Sequence, residues 1–135
     1  MTKLSRIGVT AAVIAVIGLS SVSRPEQTQD AQDETSREIM WSKLDLAHDV
    51  LDALALEDFE ALEAYAEDLE ALGTAGFLFI LDTDEYKRRA DGFRLAARDL
   101  RRAAEERNTE AAALAYMDLT LRCIRCHHSL GVLPR

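Results

Sequence analysis

The sequence predicts an all-α domain, an antiparallel up-down-up-down four-helix bundle, and three observations predict it. Ala, Leu, Glu, Asp and Arg dominate while Val, Ile and Thr are sparse beyond residue 23, a bias that favours helix. Proline and glycine number only two and six in 135 residues, so few positions interrupt a helix. Apolar residues recur at steps of three and four in four segments joined by short turns. With 48% apolar residues, the length suits one domain with one core.

The first helix is expected from Thr35 or Ser36 to Leu56, with Ser36 as its cap and Met40, Leu44, Ala47, Leu51 and Leu54 on a core-facing stripe. Ahead of it, residues 24–34 hold Pro, Glu, Gln, Thr and Asp with a single alanine, and read as a flexible tether to a domain spanning 35–135. Asp58 can cap a second helix that turns Phe59, Leu62, Ala66, Leu69 and Leu72 inward, and Gly73 and Gly76 are expected to stop it. Phe77 to Leu81 is an apolar run that could pass for a strand. No second strand is available to pair with it, so it reads as an irregular or short helical connection whose aromatic side chains close one end of the core. The third helix starts near Asp82 or Thr83, where Asp82 and Glu85 suggest a capping box, and carries Tyr86, Ala90, Phe93, Ala97, Leu100 and Ala104 toward Asn108. The fourth runs from about Thr109 past His127, with Ala112, Tyr116, Leu119, Cys123 and Cys126 on its stripe.

Residues 1–23 differ from the rest. Lys3 and Arg6 precede an uncharged, mostly apolar run from Ile7 to Leu19, and Ser20, Ser21 and Ser23 follow, the layout of a secretory signal peptide. The run is short for a membrane span of about 20 residues, so retention as an N-terminal anchor is the secondary reading. Loss of Lys3 and Arg6 with this segment carries the formal charge of −8 to −10. Such acidity argues against nucleic acid and anionic membranes as partners and favours basic proteins, or simply keeps a small exported protein soluble.

The motif that carries chemistry is Cys123-Ile-Arg-Cys126-His127. C-x-x-C-H reads as a covalent attachment site for one haem c: two thiols add across two vinyl groups, and the adjacent imidazole of His127 ligates the iron. At about 100° of rotation per residue, the three side chains share one helix face. That face is the apolar stripe, so the haem is expected to project into the bundle near the C-terminal end of the fourth helix. Three other readings compete. A thioredoxin-like dithiol sits at the start of a helix that follows a strand, and no strand-like run precedes Cys123. A disulfide suits an exported protein, yet three-residue spacing on a helix orients the pair poorly. Zinc requires two further ligands, and beyond His127 only His128 and His48 are at hand.

These residues together resemble a class II c-type cytochrome, the cytochrome c prime-like family of exported four-helix bundles with the haem motif near the C-terminus. Met40-Trp-Ser-Lys-Leu44, Leu56-Glu-Asp-Phe59, Thr83-Asp-Glu-Tyr86 and Ala113-Leu-Ala-Tyr116 are similar to planctomycete-type cytochrome c domain proteins. The resemblance covers roughly residues 36–128. It implies that Met40, near the start of the first helix, supplies the second axial iron ligand, whereas members without such a methionine leave the iron open to small gases. Arg37 and Lys43 are then the nearest candidates for propionate contacts, and Trp41 for packing on the porphyrin edge. Met117, His48 and His128 are weaker ligand candidates. The family's basic residue shortly after the haem histidine is absent; Ser129 to Pro134 intervene before Arg135.

The function these readings imply is a periplasmic mono-haem cytochrome that carries single electrons between redox partners, and not an enzyme, since no nucleophile, carboxylate pair or second cofactor site is recognisable. One rival is a five-coordinate haem protein that binds or senses nitric oxide or carbon monoxide; another is a haem-free helical adaptor. As in other family members, a homodimer is a further expectation.

Overall fold

The computed structural model describes residues 26–80 and 82–131, with their side chains except at 26–29, 32 and 77–79. Residues 1–23, read above as a signal peptide, and Arg135 therefore lie outside the described residues. Four helices account for almost all of the described chain: α1 Glu26–Ala55, α2 Phe59–Phe79, α3 Asp84–Glu105 and α4 Thr109–Ser129. They form a four-helix bundle with no strand among the described residues. No described helix is long and apolar enough to cross a membrane.

Each of the last three helices starts on a side-chain cap. Asp58 accepts from the Ala61 N–H at 3.2 Å, Thr83 from Tyr86 at 3.2 Å and Asn108 from Ala111 at 3.0 Å. The turns before α2 and α4 share one geometry. Glu57 and Arg107 adopt left-handed backbones, with φ of 54° and 50°, and the next N–H closes back on the ending helix, Asp58 to the Ala53 carbonyl and Asn108 to the Ala103 carbonyl, both at 2.9 Å. This is a Schellman ending without glycine. In each turn the residue that completes one helix end also caps the next.

The main core joins Val50 and Ala53 of α1, Leu62, Ala66 and Leu69 of α2, the alanine-rich side of α3 around Phe93 and Leu100, and Ala112 and Leu119 of α4. A smaller cluster of Ile39, Ile80, Tyr86 and Ala90 fills the opposite end. All six residues expected on the α3 stripe are buried. The α1–α2, α2–α3 and α3–α4 pairs pack extensively, whereas α1–α4 is the sparsest of the four pairs in contact.

Four expectations are corrected. First, α1 begins at Glu26, so most of the segment read as a tether is helical. No proline or glycine interrupts Glu26–Ala55. Thr35 accordingly sits inside the helix, its hydroxyl donating to the Ala31 carbonyl at 3.0 Å. Second, the α1 stripe is rotated. Ile39, Val50 and Ala53 are buried, while Leu44 and Leu51 stay 43% and 48% exposed. Third, Gly73 and Gly76 do not end α2. They lie inside it, where α3 approaches closely: a Cβ on Gly73 would come 3.2 Å from the Phe93 ring, and one on Gly76 2.8 Å from the Tyr86 hydroxyl. The helix continues through Phe79, so of the two forms expected for this run the helical one holds, as the last turn of α2 and not as a separate connection, and the positions of its aromatic side chains lie outside what is described. Fourth, Asp82 does not form a capping box with Glu85. Thr83 is the cap, which sets Tyr86 at the third helical position, and Asp82 pairs with Lys87 instead.

Candidate cofactor cavity

α4 presents Cys123, Cys126 and His127 on adjoining turns, all three half-buried, and both cysteines are free thiols. They face a cavity of about 290 Å³, open to the surface, in the gap where α1 stands away from α4. From α1 its wall is Arg37, Met40, Trp41, Lys43, Leu44 and Ala47; from α3, Tyr86, Arg89, Ala90 and Phe93; from α4, Arg122 and the three motif residues. Thus the three motif residues and Arg37, Met40, Trp41 and Lys43 of α1 all line one space. The rotated α1 stripe explains why: Met40, Leu44 and Ala47 turn toward this cavity and away from the core that Val50 and Ala53 occupy.

The weaker ligand candidates lie elsewhere. His48 and His128 are exposed and Met117 is 63% exposed, and none borders the cavity. Trp41 is 59% exposed and stands at the mouth.

Second contacts hold the walls in place. The Tyr116 hydroxyl of α4 donates to the Ala47 carbonyl of α1 at 3.1 Å, bridging the sparsest seam of the bundle. Lys43 Nζ lies 4.6 Å from the centroid of the Phe93 ring. Gly76 makes room behind them, since a Cβ there would come 3.2 Å from Lys43 Nζ as well as meeting Tyr86.

Burial sets the electrostatics. It pushes the Cys123 thiol up, with Lys43 partly opposing, and the Cys126 thiol up, with Lys43 and Arg89 opposing. Neither is the low-pKa thiolate that a redox dithiol requires. Burial likewise lowers the Lys43 ammonium, against the pull of the two cysteines. The Tyr86 phenol is pushed up to about 12, chiefly by burial and further by Cys126. Among the described residues no three His, Cys, Asp or Glu side chains gather in an arrangement that could hold a metal ion.

Sequence reasoning reads Tyr86 and Phe93 only as core, and does not single out Arg89 or Arg122. The α3 stripe was the available signal: it runs from the core directly into the cavity wall. What it could not give was the juxtaposition of α3 with the end of α4.

The residues present fit a haem c. The wall is mostly apolar, two thiols one helical turn apart stand beside an imidazole, a thioether faces the same space from α1, and cations stand at the rim. No protein-family model matches the chain, and neither curated proteins nor solved structures yield a match.

Proposed function

We propose that this protein is a mono-haem c-type cytochrome of the class II kind, an antiparallel up-down-up-down bundle that carries single electrons between redox partners in the periplasm. One observation carries the reading: Met40 and Lys43 of α1 line the same cavity as Cys123, Cys126 and His127 of α4, some eighty residues away in sequence. The periplasmic location rests on the signal-like segment before residue 24.

When bound, haem supplies the one-electron couple of its iron. Cys123 and Cys126 would hold it through thioether bonds, His127 would ligate the iron and Met40 would supply the second ligand. Arg37 and Lys43 would balance the propionates, and Trp41 would cover the mouth. The apolar wall of Leu44, Ala47, Ala90 and Phe93 excludes water and, with a thioether ligand, favours the reduced state. No acid–base pair or nucleophile is required, and the protein acts as a carrier and not as an enzyme.

The test is the absorption spectrum of the exported protein, oxidised and reduced, with and without carbon monoxide. A low-spin ferric spectrum indifferent to the gas is expected. A high-spin spectrum that shifts with the gas would replace electron transfer by gas binding, and a colourless protein would end the haem reading. Cys123→Ala and Cys126→Ala should each sharply reduce haem that resists acid–acetone extraction.

A further inference from the structure

Four arginines gather where α3 meets α4. Arg88, Arg89, Arg122 and Arg125 line, with Glu85 and Gly92, a second pocket of about 300 Å³. Arg89 and Arg122 belong to both pockets, so the cationic pocket begins where the apolar cavity ends. Gly92 permits this: a Cβ there would come 2.8 Å from Arg122 Nη1, and its absence lets the guanidinium lie against α3.

Two carboxylates offset part of the charge. Glu85 pairs with Arg88 at 2.6 Å and Arg89 at 2.7 Å, and Asp118 holds Arg122 at 3.1 Å. Arg125 is exposed and has no carboxylate partner among the described residues. The patch therefore keeps a surplus of positive charge in a chain of net charge −8. Most exposed acidic groups lie elsewhere, among them Asp45, Asp49, Asp52, Glu60, Glu63 and Glu67 along α1 and α2, while Asp84 and Asp91 flank the patch on α3, Asp91 paired with Arg94.

We infer that this arginine patch is the docking surface for an acidic face of a partner protein, and that electrons pass through the cavity edge it borders. The inference rests on the haem reading, because Cys123 and Cys126 would hold the haem against α4, on the same side as Arg122. The exchange moves one electron from the reduced haem to an oxidised acceptor on the partner, with no bond made or broken and no proton moved. Charge complementarity selects the occupant. A compact acidic protein face meets the patch alone and is oriented by the repulsion of the remaining surface, whereas a broad anionic membrane would also meet the acidic helices. Local charge at the exit thus reverses the preference for basic partners that net charge alone suggests.

The measurement is the oxidation rate of the reduced holoprotein by hexacyanoferrate(III), with poly-L-glutamate as a competitor standing for an acidic protein face. The rate should fall with added salt despite the negative net charge, and poly-L-glutamate should slow it. The double variant R88Q/R125Q should lose about tenfold in rate at low salt with its covalent haem intact, while R101Q/R102Q, which removes the same charge from the far part of α3, should stay within about twofold. An unchanged rate in R88Q/R125Q, or an equal loss in R101Q/R102Q, would overturn the docking surface and leave the haem reading standing. Slowing by phosphatidylglycerol vesicles to the same extent as by poly-L-glutamate would overturn the commitment to a protein partner. Absence of covalent haem from the unaltered protein would overturn both.

Discussion

The Lys43 ammonium of α1 stands 4.6 Å over the Phe93 ring of α3, within the cavity and away from any carboxylate among the described residues. Burial disfavours its charged form and lowers its pKa below 10.5. The native state therefore holds this proton less tightly than the unfolded chain, and the unfolded state binds more protons in the window just below 10.5. Stability rises with pH across that window, and the burial penalty, present at neutral pH, is gone above it. In the haem-free thiol form, wild type should gain on Lys43→Met in urea unfolding between pH 7 and pH 10.5; a stability difference flat in pH would show that Lys43 is well solvated.

Met40 tests the ligand set directly. Met40→Ala should leave the thioether-bound haem in place and convert the iron from low to high spin, with a carbon monoxide response that wild type lacks. An unchanged spectrum would make Met40 only a wall residue, as methionine often is.

The two glycines inside α2 should behave differently. Alanine in a helix interior gains about 1 kcal/mol over glycine. At Gly73 the Phe93 ring, 3.2 Å from the new Cβ, must yield slightly, so Gly73→Ala should be close to neutral. At Gly76 the obstacle, 2.8 Å from the new Cβ, is the hydroxyl at the end of the rigid, buried Tyr86 ring. Gly76→Ala should cost about 1–2 kcal/mol net, the scale of overpacking less the helix gain. Chemical denaturation of both variants decides this, and equal effects would contradict the close approach at Gly76.

Asp58 and Asn108 each finish one helix and begin another. Alanine at either position should cost about 1 kcal/mol in thermal or urea unfolding, as for other lost caps. A loss below about 0.3 kcal/mol at both would mean that the turns are held by the left-handed residues before them.

α3 was the most legible part of the fold because its charged and small apolar residues lie on opposite sides, and the burial of its stripe followed from spacing alone. α1 was misread because apolar residues occur on two sides. Leu46, Val50 and Ala53 take the core, while Met40, Leu44 and Ala47 take the cavity, and spacing cannot rank two such stripes. Gly73 and Gly76 looked like stops for a related reason. A glycine that ends a helix and one that admits a neighbouring helix are the same letter, and only the position of Tyr86 and Phe93 tells them apart. The motif residues and their α1 counterparts were all legible as a set; the arginines were not, since Arg89 and Arg122 meet across a helix pair that no local pattern encodes.

The seam between α1 and α4, bridged by the Tyr116 hydroxyl, also bears on how the molecule could be assembled in time. The three tighter helix pairs can form while this one stays ajar, so a broad flat guest could reach both thiols without breaking the core around Leu62 and Leu100. On the proposed function, maturation would then resemble closing a book on a leaf already glued to its spine, with α1 as a cover hinged on α2 and its seam with α4 the edge that shuts last.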